Sequence, residues 1–466
     1  MIKRILLALA VMLAATNAFA ANHYIRAAAT GAHNGTDWTN AWTSFSQVSW
    51  TRGDIYYIAA GSYGSVTLSA SANGTQIITI NAATPANHGS DTGWQDSFSG
   101  QAVFGGSSIT SSYWTLNGQT RGADWTSGYL IKFNNTSTGG QGIQLGSGSA
   151  VTHITLDYVE VQGSNVHSSS SDEGIHCTPG PCSSTHITHS WIHNVGCDNL
   201  SFNQNTGGTD FLLEYDWISY NNFGPTSGNH CQGIQSTMAE MTIRYNVWQN
   251  IQSSGVITDA AGGNAPITFW DIYGNIFFWD AAWNAQWSGN GLVGEDNGIV
   301  GIYSLSGTSG ILRFYNNTID GLALGSSNNC TSQATWINSG MHLNATIENN
   351  IWSNIGSGCP AGPGNSGGTI DYNGYYKVAS GKGDSGSHSF ASNTNPYVNQ
   401  PARTIAGFML SADTPAGAQL PSPYNVDVLG TPRGSNGVWN IGALQISGAT
   451  SSLPAVPQGL AVLSIQ

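Results

Sequence analysis

IRYNVW (243–248), IYGNIF (272–277) and FYNNTI (314–319) share one pattern: apolar, two variable positions, Asn, one more position, then apolar or aromatic. The pattern recurs as ITLDYV (154–159), ITHSWI (187–192), LEYDWI (213–218) and IENNIW (347–352), with Asp or Ser in place of Asn in the first three. The anchors are Asp157, Ser190, Asp216, Asn246, Asn275, Asn317 and Asn350, spaced about 32 residues apart on average. A second pattern alternates with it, a Gly-aliphatic step seen in QGIQL (141–145), EGIHC (173–177), DNLSF (198–202), QGIQS (232–236), SGVIT (254–258), NGIVG (297–301) and SGMHL (339–343). A unit this short cannot bury its own apolar face, so successive units must stack. Short β-branched runs broken by Gly and Asn, without crossover helices, read as parallel strands and turns. The fold class that follows is all-β, a parallel β-helix. A side chain at one fixed turn position per coil then forms a hydrogen-bonded ladder.

The rest of the chain agrees. Its 466 residues include 60 glycines, and only 8% are charged. MIKRILLALAVMLAATNAFA (1–20) has Lys3 and Arg4, an apolar run and an Ala18-Phe19-Ala20 cleavage site, the marks of a secretory signal peptide. Removing it leaves 10 of the 12 basic residues against 25 acidic ones. Such a chain is no nucleic-acid binder, because that needs clustered Lys and Arg. No later stretch is apolar enough to span a membrane. The expected product is a secreted, soluble monomer, and polyanionic glycans would need a cation to bridge them to it.

HYIRAAATGAHNGTDWTNAWTSF (23–45) and GDIYYIAAGSYG (53–64) resemble the opening of the bacterial secreted β-helix family with the pectate-lyase-like fold. PRGSNGVWNIGALQ (432–445) resembles the segment that closes such domains. The resemblance implies a single-stranded right-handed parallel β-helix over 53–445, an N-terminal cap over 21–52 containing Trp38 and Trp42, and a Ser/Pro linker and tail over 446–466. The fold hosts lyases, hydrolases and non-enzymes alike, so the chemistry must be argued from a site.

Registering the Gly-aliphatic steps supplies one. The residue before each glycine position runs Gln141, Glu173, Asp198, Gln232, Ser254, Asn297, Ser339, and Asp172 lies one place before Glu173. Stacked coils lie about 4.8 Å apart, so Glu173 and Asp198 become neighbours with Asp172 beside them. Three carboxylates this close either share a proton or hold a cation. The first gives an acid/base pair. The second gives a Ca²⁺ site on Asp172, Glu173 and Asp198. His176 and His230 flank the acids and complete the candidate catalytic set, with Gln232 as a substrate contact. The plain alternative is a group of solvated turn residues. The order SDEG (171–174), CDN (197–199), NHCQG (229–233) is similar in outline to polygalacturonase-type glycosidases, but no R-x-K follows to grip a uronate. His186, His189 and His193 in HITHSWIH have metal-like spacing, yet on a strand they fall on opposite faces.

Trp279, Trp283 and Trp287 recur every four residues in an inserted loop. They are either a sugar-stacking platform or the packed stripe of a short helix. The six cysteines are expected to pair as Cys177–Cys182, Cys197–Cys231 and Cys330–Cys359. The apolar row Ile143, Ile175, Leu200, Ile234, Val256, Ile299, Met341 should line the interior. The expected function is hydrolysis of a neutral or weakly charged polysaccharide. The alternatives are a calcium-assisted polysaccharide lyase and a non-catalytic glycan-binding or adhesin-like surface protein.

Overall fold

The structure, a computed structural model, describes residues 20–165, 172–203, 207–221, 231–251, 256–259, 267–286, 299–302, 310–322, 337–339, 344–356, 368–378 and 381–447. Three sheets of 12, 9 and 12 strands account for nearly all regular structure, and every strand pairing within them is parallel. A full coil contributes a strand to sheet A, then to sheet B, each of 12 strands, then to sheet C, the sheet of 9. One complete coil runs Thr185–Thr188, Trp191–Val195 and Leu200–Phe202. The chain is a parallel β-helix. No helix among the described residues is long and apolar enough to cross a membrane.

The bend from sheet A to sheet B explains the first sequence pattern. Each bend has one residue in the left-handed region: Tyr158, His189, Tyr215, Tyr245, Gly274, Asn316, Asn349 and Tyr372, with φ between 51° and 67°. The residue after it points inward and ties its coil to the next. Ser190 N–H donates to Asp216 Oδ1 (2.6 Å), and Asp216 N–H donates to Asn246 Oδ1 (2.9 Å). The chain of bonds continues through Asn275, Asn317, Asn350 and Asn373 to Ser389. From Asn246 to Asn350 each amide Nδ2 also donates to the next Oδ1 and to a carbonyl of the preceding coil. The ladder thereby satisfies buried backbone groups that the bend would otherwise strand.

One anchor was misplaced. Asp157 pairs in register with Thr188, two residues before Ser190. Its coil holds Val159 in the ladder slot, and the Val159 N–H donates to Ser190 Oγ (3.1 Å). The motif matched there because two apolar residues, Ile154 and Leu156, both face the interior and either can serve as its start.

The Gly-aliphatic step marks the corner from sheet B to sheet C. A Cβ on Gly174 would lie 2.4 Å from the Asn199 carbonyl oxygen and 2.9 Å from Ile192 Cγ2. Gly142 and Gly233 face equally crowded interiors. Two consecutive residues therefore point inward at this corner; in the coils of Gly142, Gly174 and Gly233 the first has no room for a side chain, whereas Asn199, Val256 and Ile299 fill the same place in theirs. The apolar row follows the expected order through Ile143, Ile175, Leu200 and Ile234, then departs by one residue: Ile257 and Val300 continue it, in place of Val256 and Ile299. Val256 and Ile299 are buried too, which is why either neighbour satisfied the pattern. Met341 lies outside the described residues, and the strand register pairs Val300 with Ile337.

The last described stretch, from about Asn395 to Ile446, folds back along the A/B bends as a strap. Tyr424 packs edge-on against Tyr273 and Tyr315, and its hydroxyl donates to Asp271 Oδ2 (3.0 Å). Pro423 O accepts from the Tyr245 hydroxyl (3.3 Å), Asn349 exchanges two bonds with Ala418, and Arg403 pairs with Asp280. Buried Arg433 holds the strap's own loop by donating to the carbonyls of Val426, Asn440 and Gly442.

Candidate active site

The B/C corner carries the acidic stretch. In sheet C, Gln141 pairs in register with Glu173, Ile175 with Leu200, and Leu200 with Ile234. Extending that register back two residues sets Glu173 beside Asp198 and Asp198 beside Gln232. The corner's backbone agrees, since Gly174 N–H donates to Asp198 O (3.0 Å) and Asn199 N–H to Gln232 O (3.1 Å). The structure thus brings Asp172, Glu173, Asp198 and Gln232 together on three adjacent coils. All four are buried. His230 lies outside the described residues.

Each acid has a distinct environment. Ser164 Oγ donates to Asp172 Oδ2. Glu173 Oε2 meets His176 Nδ1 and receives Gln141 Nε2 (3.5 Å). His176 Nε2 is buried with no hydrogen-bond partner among the described residues. Asp198 Oδ1 accepts the Gln232 N–H (2.6 Å). Burial, and then the charge of Glu173, push the Asp198 carboxyl well above the usual range, and the Gln232 N–H opposes them only in part. Both influences favour the protonated form of Asp198, and a bound cation would favour the ionised one. In the protonated form it is a proton donor beside an oriented Glu173–His176 pair.

Two disulfides frame the site. Cys177–Cys182 closes the turn after the Glu173–Cys177 strand, and Cys197–Cys231 joins neighbouring coils with a Cα–Cα distance of 4.8 Å. Cys330 and Cys359 lie outside the described residues. Cys197, Asp198 and Cys231 place ligand atoms within 4.8 Å of one another, but both sulfurs are spent in the disulfide, so this trio holds no soft metal. Asp172, Glu173 and Asp198 offer only oxygen donors, but among the described residues their carboxylates do not gather within 4.8 Å of one another. That donor chemistry fits a hard cation such as Ca²⁺.

The other sequence candidates resolve differently. Trp279 is buried with its indole N–H on the Ile251 carbonyl (2.7 Å), and Trp283 is buried on the short helix Ala281–Gln286 against Tyr220. Burial removes both faces from substrate, so these two are packing residues. Trp287 lies outside the described residues. The three histidines separate onto Asp210, Asp157 and Glu160. Arg244 pairs with Glu214 and Arg313 with Asp271, both on sheet A, away from the acids. One cluster went unread: on sheet B, Glu160 accepts from Lys132 (2.6 Å), His193 (3.2 Å) and Gln101 (2.9 Å), with Trp191 stacked on His193. The alternation of VEVQ (159–162) and WIHNV (191–195) put Glu160 and Trp191 on the outer face, but only the true register shows that they share a column.

The architecture defines the class: a right-handed parallel β-helix of the pectate-lyase-like fold. A solved structure described as the pectate lyase Pel9A is similar over 91% of this chain and 96% of its own, with a TM-score of 0.53 and 14% identity. That likeness shows the fold. Structures of the PL6 family alginate lyase AlyGC, one of them a mutant, cover 74% of this chain and 51% of their own at 12–13% identity, with TM-scores of 0.33 and 0.30. No family model matches the sequence, and no curated protein does.

Proposed function

We propose that the protein is an exported polysaccharide-cleaving enzyme whose centre is the Asp172–Glu173–Asp198 corner, and that it works as a calcium-assisted lyase on a uronate-containing chain. The observation that carries the reading is the burial of three acidic side chains on two adjacent coils, where burial and the charge of Glu173 both disfavour an ionised Asp198. The similarity of fold to a pectate lyase over nearly the whole chain lends weight to elimination over hydrolysis. A bound Ca²⁺ would neutralise the substrate carboxylate and acidify the proton α to it. Asp172, Glu173 and Asp198 would hold that cation, which also answers how so acidic a protein meets an acidic polymer. Glu173 orients His176 through Nδ1 and leaves Nε2 to accept the proton. The absence of an R-x-K pair, an obstacle to a cation-free uronate enzyme, is then no obstacle.

Hydrolysis is the second reading, supported by Asp198, whose carboxyl burial raises, as general acid with Glu173 as its partner. Incubation with pectate, alginate and neutral glycans, with Ca²⁺ and with a chelator, separates the two. Calcium-dependent ultraviolet absorbance from unsaturated ends supports the lyase. New reducing ends without absorbance, unaffected by chelator, support the hydrolase. Binding without cleavage of any glycan would sink both.

A further inference from the structure

Asp216 occupies a place in the A/B ladder that its neighbours give to asparagine. The direction of the ladder is fixed by the backbone: each residue's N–H needs the next residue's Oδ1. Asn246 must therefore turn its Oδ1, an acceptor, toward Asp216, and it uses its Nδ2 on Leu213 O (2.9 Å) and Asn275 Oδ1 (3.1 Å). Asp216 Oδ1 is likewise committed, to the Ser190 N–H at 2.6 Å. Its second oxygen then stands where Asn246, Asn275, Asn317 and Asn350 each carry a donating Nδ2. By the repeat, the groups facing that place are Asn246 Oδ1 and the carbonyl of Ile187, both acceptors. Asp216 Oδ2 is fully buried and meets no donor among the described residues. A carboxylate oxygen against two acceptors is repulsive, whereas a hydroxyl there completes the ladder.

We infer that Asp216 binds a proton at Oδ2 through neutral pH and that this O–H is a working rung of the ladder. The rung joins two particular coils. Ser190 opens the coil that carries Asp198, and Asp216 opens the coil that carries Gln232. Loss of the proton loosens the step on which the acid corner is built, so the rung is a pH-sensitive tie behind the site. The charges around it are mixed: Arg121 favours ionisation, while Glu214 and Asp157 oppose it, and buried Tyr129 lies near. Arg121 spends its guanidinium on the Tyr215 carbonyl and the face of Trp125. Burial is the largest influence and raises the carboxyl far above its ordinary value. Two other buried acids are closed by donors: Asp427 accepts three backbone N–H groups, and Asp320 accepts from Ser353 and Asn354.

A carboxyl whose folded pKa exceeds its unfolded one stabilises most below the unfolded value, and that contribution is lost as pH rises through the folded value. Asp216→Asn supplies the Nδ2 donors without a proton. Thermal unfolding of both proteins between about pH 5 and about pH 8 is the test. The variant should melt a few degrees higher, by a margin that widens as pH rises. The infrared difference between the two should contain one protonated carboxylic acid. The same differences in an Asp198→Asn background separate this rung from the acid corner, so neither result depends on the enzyme reading. A D216N protein that fails to fold, melts lower at neutral pH, or shows a pH-independent margin overturns the inference, as does an infrared difference with only a carboxylate.

Discussion

Replacing Asn275 with Ala removes one complete rung of the ladder. The Asn275 amide accepts from Asn246 N (2.9 Å) and Nδ2 (3.1 Å), and donates to Ile243 O (3.0 Å), Tyr273 O (3.2 Å) and Asn317 Oδ1 (3.0 Å). The position is wholly buried, so no water replaces the lost groups. The Asn246 N–H is stranded, at about 1–3 kcal/mol, and with the weaker losses at the acceptors the total comes to about 3–5 kcal/mol. That is a large share of the 5–15 kcal/mol or so that holds an ordinary domain together. Asn275→Ser should lie between, because Ser190 and Ser389 already serve as rungs through a hydroxyl. Denaturant unfolding followed by circular dichroism measures all three proteins. An N275A cost below about 1 kcal/mol, with N275S no better, would mean that the backbone turns hold the bends and the side chains merely fill them.

Three further outcomes are expected. Asp198→Asn should lower turnover by about 10²–10⁴-fold, raise the melting temperature in chelator because an amide never has to be ionised or protonated in that buried place, and abolish any rise on adding Ca²⁺; unchanged turnover refutes the acid centre. Gly174→Ala should cost about 1–3 kcal/mol and depress activity with it, since the new methyl displaces the strand that carries Glu173; a silent substitution, read by the same unfolding assay, removes the steric account of the corner. Burial raises the Glu160 carboxyl, but His193 and Lys132 outweigh it and hold the group below its ordinary value. Its stabilisation is present above the unfolded pKa and disappears as pH falls through the folded one. Lys132→Met should therefore weaken the protein at neutral pH and flatten its acid-unfolding profile; an unchanged profile contradicts the pairing.

The repeat was legible because the bend and the corner each demand a residue type that little else can supply: an amide that both donates and accepts, and a glycine without a Cβ. Glu173 and Asp198 could be aligned for that reason, since Gly142, Gly174 and Gly233 bracket their coils. The alignment slipped where those demands relax. Two inward apolar residues at one corner, such as Val256 and Ile257, leave a one-residue ambiguity, and a coil with Val159 in the ladder slot offers no polar anchor. The Glu160 cluster was illegible because its partners, Lys132 and His193, sit 28 and 33 residues away, on coils of unequal length. The burial of Trp279 and Trp283 follows from helix packing on the solenoid's flank, which spacing alone left open.

The strap has a consequence for how this molecule comes apart. A bare solenoid touches only its neighbouring coils, so it can fray one turn at a time from a free end. Here Pro423, Tyr424, Ala418 and Ala443 reach to Tyr245, Tyr273, Asn349 and Thr318, four successive coils. None of those coils can peel away while the strap is seated, and the strap cannot seat until all four are built. The distal part of the molecule thus behaves as a latch: it opens as one block or stays shut, and its closing waits on residues that follow every coil it holds. The coils bearing Glu173 and Asp198 precede the latch, which leaves the acid corner free to form first.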